Sequence, residues 1–516
     1  MTLLVEPPEK VLNSECKCSS NGVVHVHPES KENETKWTVQ FKTYIKETWD
    51  LKSRITVEPF IFCYILSSVL TGLAVQTMCA HKACLSNLNY SNNTCADLMA
   101  GKVERHKEEN LNVTHTVAKM TAWSFPVQIS VPAILALFFG AWSDRTGNRK
   151  PFLLLPMLGK FVSALGLIMA TIFFYEVGVN ETALIEGLPP ALSGGRVAVT
   201  MAAYSYVTDI TSESERTYRL GILTATFTLT RPLGLAISGY MVHSLGYYVV
   251  FSVGCVLYFI GFLYGVLRIK VNTKEIVKSE KNQNCSLLFS TEALVSTVNV
   301  AFRKRKYSRR LQLFLLLLAY VLIVGPVLGE AQFSYWFARY KFSFTEVDYS
   351  LFMTYSILIG MLGSFVTIYV LSKKYRIDDS IIAVIASISR ISGSMVYALA
   401  PTRTIFYLGP LLDAFSSAGA ASLRSMASKL VDVDEIGKTS SLISIAEALV
   451  ASIYSPIYYN VMKLTTETMP GAFYLISASL PVPAIAILID YILRGFTVSS
   501  VIRDWVTLNM NSLTIF

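Results

Sequence analysis

Twelve runs of apolar residues, six before and six after a long polar stretch, constrain this chain more than any other feature. They fall near 57–79, 117–141, 151–175, 187–210, 218–242 and 247–268, then near 311–337, 348–372, 379–400, 404–427, 439–462 and 471–494. Crossing ~30 Å of hydrocarbon takes about 20 helical residues, because lipid offers the backbone no hydrogen bonds and a helix satisfies its own. With 52% apolar and 16% charged residues and a mean hydropathy of +0.45, the composition suits lipid as solvent. The expected fold is an all-α membrane protein, with twelve transmembrane helices in two six-helix halves. Its expected parts are an N-terminal tail 1–56, a first half 57–268 with a long loop 80–116, a linker 269–310, a second half 311–494 and a C-terminal tail 495–516. The first forty residues lack an apolar core behind a basic start, so the first span is expected to be its own anchor.

Lysine and arginine set the orientation. Of the 45, 31 lie on the side of the tails and linker, nine on the other side and five within spans. Cytosolic loops carry the excess of such residues, so both tails and the linker are expected in the cytosol. The linker ends in a basic run, 303–310, suited to anionic lipid at the inner leaflet. The formal charge of +9 is therefore topogenic, and nucleic acid is not an expected partner. Asn89, Asn92, Asn112 and Asn180 begin Asn-x-Ser/Thr sequons on the expected outer side and are candidate glycosylation sites, whereas Asn33 and Asn284 would be cytosolic and unmodified. The eight cysteines show no metal-ligand spacing, and Cys16 and Cys18 form a lone pair. Cys79, Cys84 and Cys95 lie beside the long outer loop, where a disulfide between Cys84 and Cys95 is expected if that side is oxidising.

After the second run comes Gly140-Ala-Trp-Ser-Asp144-Arg145-Thr-Gly147-Asn-Arg149-Lys150. Gly140 permits close helix approach, Gly147 a tight turn, and a carboxylate beside three cations can make charge-assisted contacts across a helix junction. This segment resembles the G-x-x-x-D-R-x-G-x-R-K loop of the major facilitator superfamily at every fixed position. The resemblance implies two halves that rock about a midplane site, with this loop as a cytosolic latch. Asp144, Arg145, Gly147 and Arg149 are then gating residues, with Asp144 facing the start of span eleven near Lys438 and Thr439.

Two further segments are similar to solute carrier family 46, the family of the proton-coupled folate transporter. They run from Tyr206-Val-Thr-Asp209 to Arg219, and from Arg424-Ser-Met-Ala-Ser428-Lys429-Leu430-Val431 to Gly437-Lys438. The similarity covers most of 57–494. It implies proton coupling and small organic substrates such as folates, cyclic dinucleotides or muropeptides. Span five has Leu223-Thr224-Ala225 where the folate transporter has a carboxylate, and span seven has Gly325-Pro326 where it has a histidine. The family is therefore carried over, but folate as the substrate is not.

Each charge inside a span costs a few kcal/mol and needs a partner, a wet cavity or a route to snorkel. Lys160, Arg196, Arg231, Arg390 and Arg424 stand against Glu330, Asp413 and Glu447, a surplus of two positive charges. A cavity biased that way favours a small organic anion. Polar stripes at helical spacing run through span one (Tyr64, Ser68, Thr71), span four (Arg196, Thr200, Tyr204) and span five (Thr224, Thr228, Arg231, Ser238). The superfamily resemblance turns spans one, four, seven and ten toward the cavity and so adds Glu330, Asp413 and Arg424 to the expected substrate-binding set. Taken as one helix, span ten would place Asp413 and Arg424 on nearly one face, about 16 Å apart. The alternatives are snorkelling for Arg424 and backbone bonding for the hydroxyls. Glu447, in span eleven, is a candidate for coupling.

The six histidines all lie outside the spans' middles, and the sequence has no GxSxG, Walker or HExxH motif. The expected function is secondary transport across the cell membrane, or an endosomal or lysosomal one, with protons as coupling ion, no cofactor and no bound metal. The competing expectation is a non-transporting receptor or scaffold on the same fold.

Overall fold

Long apolar runs satisfy their backbone in lipid as helices, and the computed structural model is helical wherever the described residues are regular. It describes residues 56–270, 309–431 and 436–493. Cys16, Cys18, Asn33, Asn284, the tail 495–516 and nearly all of the basic run lie outside the described residues, as do the side chains of Asp144, Arg145 and Lys438.

The first half contains α1 (Glu58–Lys82), a short loop helix α2 (Asn92–Met99), α3 (Lys107–Thr146), α4 (Lys150–Ile172), α5 (Val179–Leu192), α6 (Gly195–Ile210) and α7 (Glu213–Arg268). The second contains α8 (Arg309–Phe342), α9 (Glu346–Val366), α10 (Asp379–Leu399), α11 (Arg403–Leu412), α12 (Ser417–Lys429), α13 (Ile436–Thr465) and α14 (Ala472–Ser479). Among the described residues, eight helical stretches are long and apolar enough to cross a membrane. Predicted spans four and ten are each two shorter helices, α5 with α6 and α11 with α12. Spans five and six form one element, α7, broken by Gly246 at φ 72°.

Local chemistry explains the ends. Gly147 closes α3 in the left-handed region (φ 66°), its N–H donating to the Ser143 carbonyl, where any other residue would be strained. Thr345 and Asp348 form a reciprocal capping box at the start of α9. On α4, Leu155, Leu158, Val162, Leu165, Met169 and Ile172 repeat at helical spacing and are 40–57% exposed, whereas Gly159, Ser163, Ala164, Leu167 and Ala170 are buried. That division suits a helix with lipid on one side and protein on the other.

The halves carry a matching charge register at their ends. Arg149, before α4, bonds Asp209 at the end of α6 at 3.0 Å, and Asp379, opening α10, bonds Lys429 at the end of α12 at 2.6 Å. The chain breaks seventeen residues before the second partner each time, after Leu192 and after Leu412. The signs are exchanged but the positions repeat.

α7 packs on α9 and α3 on α13, joining the two halves. The α7–α9 crossing depends on Gly239, since a Cβ there would lie 2.2 Å from Ser350 Oγ and 2.7 Å from the Glu346 carbonyl. Three apolar cores result. One, at the end bearing the Cys84–Cys95 loop, is shared by both halves and includes Met78, Cys84, Tyr335, Trp336, Tyr458 and Phe473. At the opposite end each half has its own, one around Phe60, Phe152 and Val207, the other around Leu316, Leu423 and Leu488.

Candidate functional site

Span nine supplies Arg390, which is 4% exposed and ion-paired to two carboxylates. It donates to Glu330 of α8 and, at 2.6 Å, to Asp413. Asp413 is held by the break between α11 and α12. Ser389 Oγ donates to the Leu412 carbonyl at 2.5 Å and accepts from the Phe415 N–H at 3.2 Å, and Ser416 Oγ donates to the Asp413 carbonyl at 2.8 Å. These hydroxyls meet the backbone groups that an interrupted helix exposes. The expectation of Asp413 and Arg424 on one face is corrected here, because the two residues lie on separate helical pieces. The Ser416-Ser417 pair three residues after Asp413, followed by Ala418-Gly419, was the sequence signal for that break.

Arg424 donates to Glu447 at 2.5 Å and to the Tyr320 hydroxyl at 3.1 Å, while Tyr320 donates to the same carboxylate. Its guanidinium carbon also stands 5.7 Å from the Tyr320 ring centroid. Arg424 therefore does not simply snorkel, and its charge already has a carboxylate partner. Tyr320 is a site residue that the charge inventory missed. The corresponding first-half contact is neutral, Tyr204 to Thr224 at 2.9 Å, with Tyr204 stacked on Phe227.

The first half differs in charge. Neither Arg196 nor Arg231 has an ion pair among the described residues, and both are solvent-accessible. They stand near enough for their like charges to interact, and Arg196 lies within reach of Tyr64. Tyr64 and Tyr258 meet edge to face at 6.3 Å, both buried, with Ser68 and Thr71 near the Tyr258 hydroxyl. Ser68, one turn beyond Tyr64, is half-buried. Thr71, Thr200 and Thr228 bond carbonyls of their own helices, so those members of the predicted stripes act locally.

The Gly140 loop is tied to the Tyr206 segment through Arg149, which also donates to Ser143 Oγ at 2.9 Å. Two segments that resembled a family separately are thus one junction. Gly140 faces α6, where a Cβ would lie 3.2 Å from the Met201 sulfur. Gly325 and Gly329 leave α8 continuous and make room for Val450, Tyr454 and Tyr458 of α13. They serve helix approach.

At the other end Cys84 and Cys95 are joined, with Cα atoms 5.9 Å apart. The staple holds α2 where Arg339 of α8 donates to the Leu98 carbonyl at 3.0 Å. Nearby, Lys102 bonds Asp97 at 3.0 Å and holds its carboxyl below the usual range. Asn89, Asn92 and Asn180 are exposed, whereas Asn112 donates its amide to the Tyr90 hydroxyl at 3.0 Å. Enzymatic deglycosylation is expected to lower the apparent mass, with most of the change removed by Asn89→Gln, Asn92→Gln and Asn180→Gln together. Glycan on Asn284 would contradict the orientation read from the charges.

A profile of the Major Facilitator Superfamily matches residues 60–456. The chain is 25% identical over 438 residues to a probable peptidoglycan muropeptide transporter, SLC46, of Drosophila melanogaster, covering 82% of this chain and 83% of the relative. It is 24% identical over 445 residues to the lysosomal proton-coupled steroid conjugate and bile acid symporter of Gallus gallus (83% and 92%), and 25% identical over 438 to the proton-coupled folate transporter of Rattus norvegicus (84% and 91%). The crystal structure of the human organic anion transporter TETRAN superposes with a TM-score of 0.58 at 16% identity, covering 84% of this chain and 98% of that one, a likeness of fold. The chain is a multi-pass membrane transporter rather than an enzyme, and it belongs to the Major Facilitator Superfamily, beside the members of solute carrier family 46.

Proposed function

We propose that this protein carries a small organic anion by alternating access between two six-helix halves, with twelve crossings, cytosolic termini and proton coupling. One observation carries the reading: Glu330, Asp413 and Glu447 are bound to Arg390 or Arg424, while Arg196 and Arg231 are exposed and have no ion pair among the described residues. A guanidinium pair in a partly dehydrated site attracts a carboxylate, sulfate or phosphate through charge-assisted, bidentate bonds. The relatives named above handle muropeptides, steroid conjugates and bile acids, and folates, classes that include acidic molecules. A core shared at the disulfide end and divided at the other supports an arrangement closed outward and open toward the cytosol. The cell membrane is the proposed location, with the endosomal or lysosomal membrane as the alternative.

Purified protein in liposomes is expected to take up at least one of a panel of folates, bile acids, cyclic dinucleotides and muropeptides saturably. Binding without uptake across that panel would favour the receptor reading. The latch role of the Gly140 loop predicts that Asp144→Asn slows uptake several-fold while surface abundance stays near the parent's, because the carboxylate stabilises one conformation and not the fold. Parental turnover in that variant would reduce the loop to a topogenic signal.

A further inference from the structure

The Arg390 cluster contains one guanidinium and two carboxylates, so with all groups ionised it carries a net charge of −1 inside the second half. The Glu330 side chain is 8% exposed, that of Arg390 4% and that of Asp413 16%. Four polar atoms here have no hydrogen-bond partner: Glu330 Oε2, Asp413 Oδ1, Arg390 Nε and the fully buried Ser394 Oγ, which lies one turn beyond Arg390 on the same face of α10. Tyr397 on α10, Tyr458 on α13 and Tyr474 on α14 stand within electrostatic reach of Arg390. Tyr458 is bonded to Ser477 Oγ at 2.6 Å, Tyr474 donates to Ser334 Oγ at 3.1 Å, and Ser356 of α9 lies beside Tyr397. Ser389 donates to the Leu412 carbonyl, and Ser416 donates to the Asp413 carbonyl while standing within reach of the same residue's carboxylate.

A second buried carboxylate that shares one cation, with an oxygen left undonated, has a direct remedy in binding a proton. We propose that Glu330 and Asp413 hold one exchangeable proton between them, making this cluster the proton-binding site of the second half. The proton comes from cavity water and forms an O–H bond at one of the undonated oxygens. The cluster goes from −1 to neutral, and no other bond changes. Asp413, the more exposed carboxyl and the one at the helix break, is the route by which the proton enters and leaves. Loading or emptying it changes the charge that α8, α10 and the α11–α12 break hold between them. That this drives solute movement rests on the transport reading; the site itself does not.

Infrared difference spectra of the full chain in liposomes test the site without a substrate. The wild type is expected to show the stretch of a protonated carboxyl that disappears as pH is raised. Asp413→Asn and Glu330→Gln, each leaving one carboxylate for Arg390, are each expected to abolish that absorption. No titrating carboxyl absorption in the wild type, or its persistence in both variants, would overturn the proposal. An absorption that behaves as expected in protein that moves no probe solute would overturn the transport reading and leave the site standing. Saturable uptake without the absorption would do the reverse.

Discussion

Arg196→Ala is expected to lower the uptake efficiency of an anionic solute by roughly tenfold to a hundredfold, the loss of a bond to a charged group worth about 1.5–3 kcal/mol. Protein abundance is expected to stay near the parent's, because among the described residues Arg196 bonds no acidic side chain whose charge would be stranded. Arg196→Lys is expected to fall between, since lysine keeps the charge but not the planar fork. Arg424→Lys is a different experiment. It keeps a cation opposite Glu447 but cannot hold Tyr320 and the carboxylate together as the guanidinium does. Uptake of radiolabelled solute into liposomes, normalised to reconstituted protein, separates these variants. Parental efficiency in Arg196→Ala would remove Arg196 from the binding site.

Arg390→Ala is expected to have the largest effect on the fold, about 3–5 kcal/mol, because it strands two buried carboxylates. The readout is loss of monodisperse protein in detergent and of surface abundance in cells. Adding Glu330→Gln and Asp413→Asn to that variant is expected to recover most of the loss, since the stranded charges then vanish. A single variant as stable as the parent would mean that the carboxylates are already neutral or solvated.

These expectations mark where the sequence was and was not informative. Apolar run length, the Gly140 loop and the positive-charge bias are local properties, so the helical class and the superfamily were readable from them. Pairing was not. Glu330 lies 60 residues and Asp413 23 residues from Arg390, and nothing in a linear pattern tells which helices stand side by side. The same limit hid Tyr320 and made Arg424 look available, because Glu447 approaches it from another helix. The helical-face calculation for span ten failed for a different reason, since it assumed a continuous helix where Ser389 holds a broken one open. The sum of charges was legible, but their division was not. Glu330, Asp413 and Glu447 all lie on the second half and are taken by Arg390 and Arg424, whereas Arg196 and Arg231 of the first have no ion pair among the described residues.

That division is tested most directly by charge discrimination in transport. Uptake of an anionic solute and of its neutral methyl ester should be measured side by side in liposomes containing the wild type or Arg196→Ala. The account predicts saturable uptake of the anion by the wild type, little of the ester, and loss of that preference in the variant. Equal uptake of anion and ester by the wild type, or preference for the ester, would contradict an anion site built on Arg196 and Arg231.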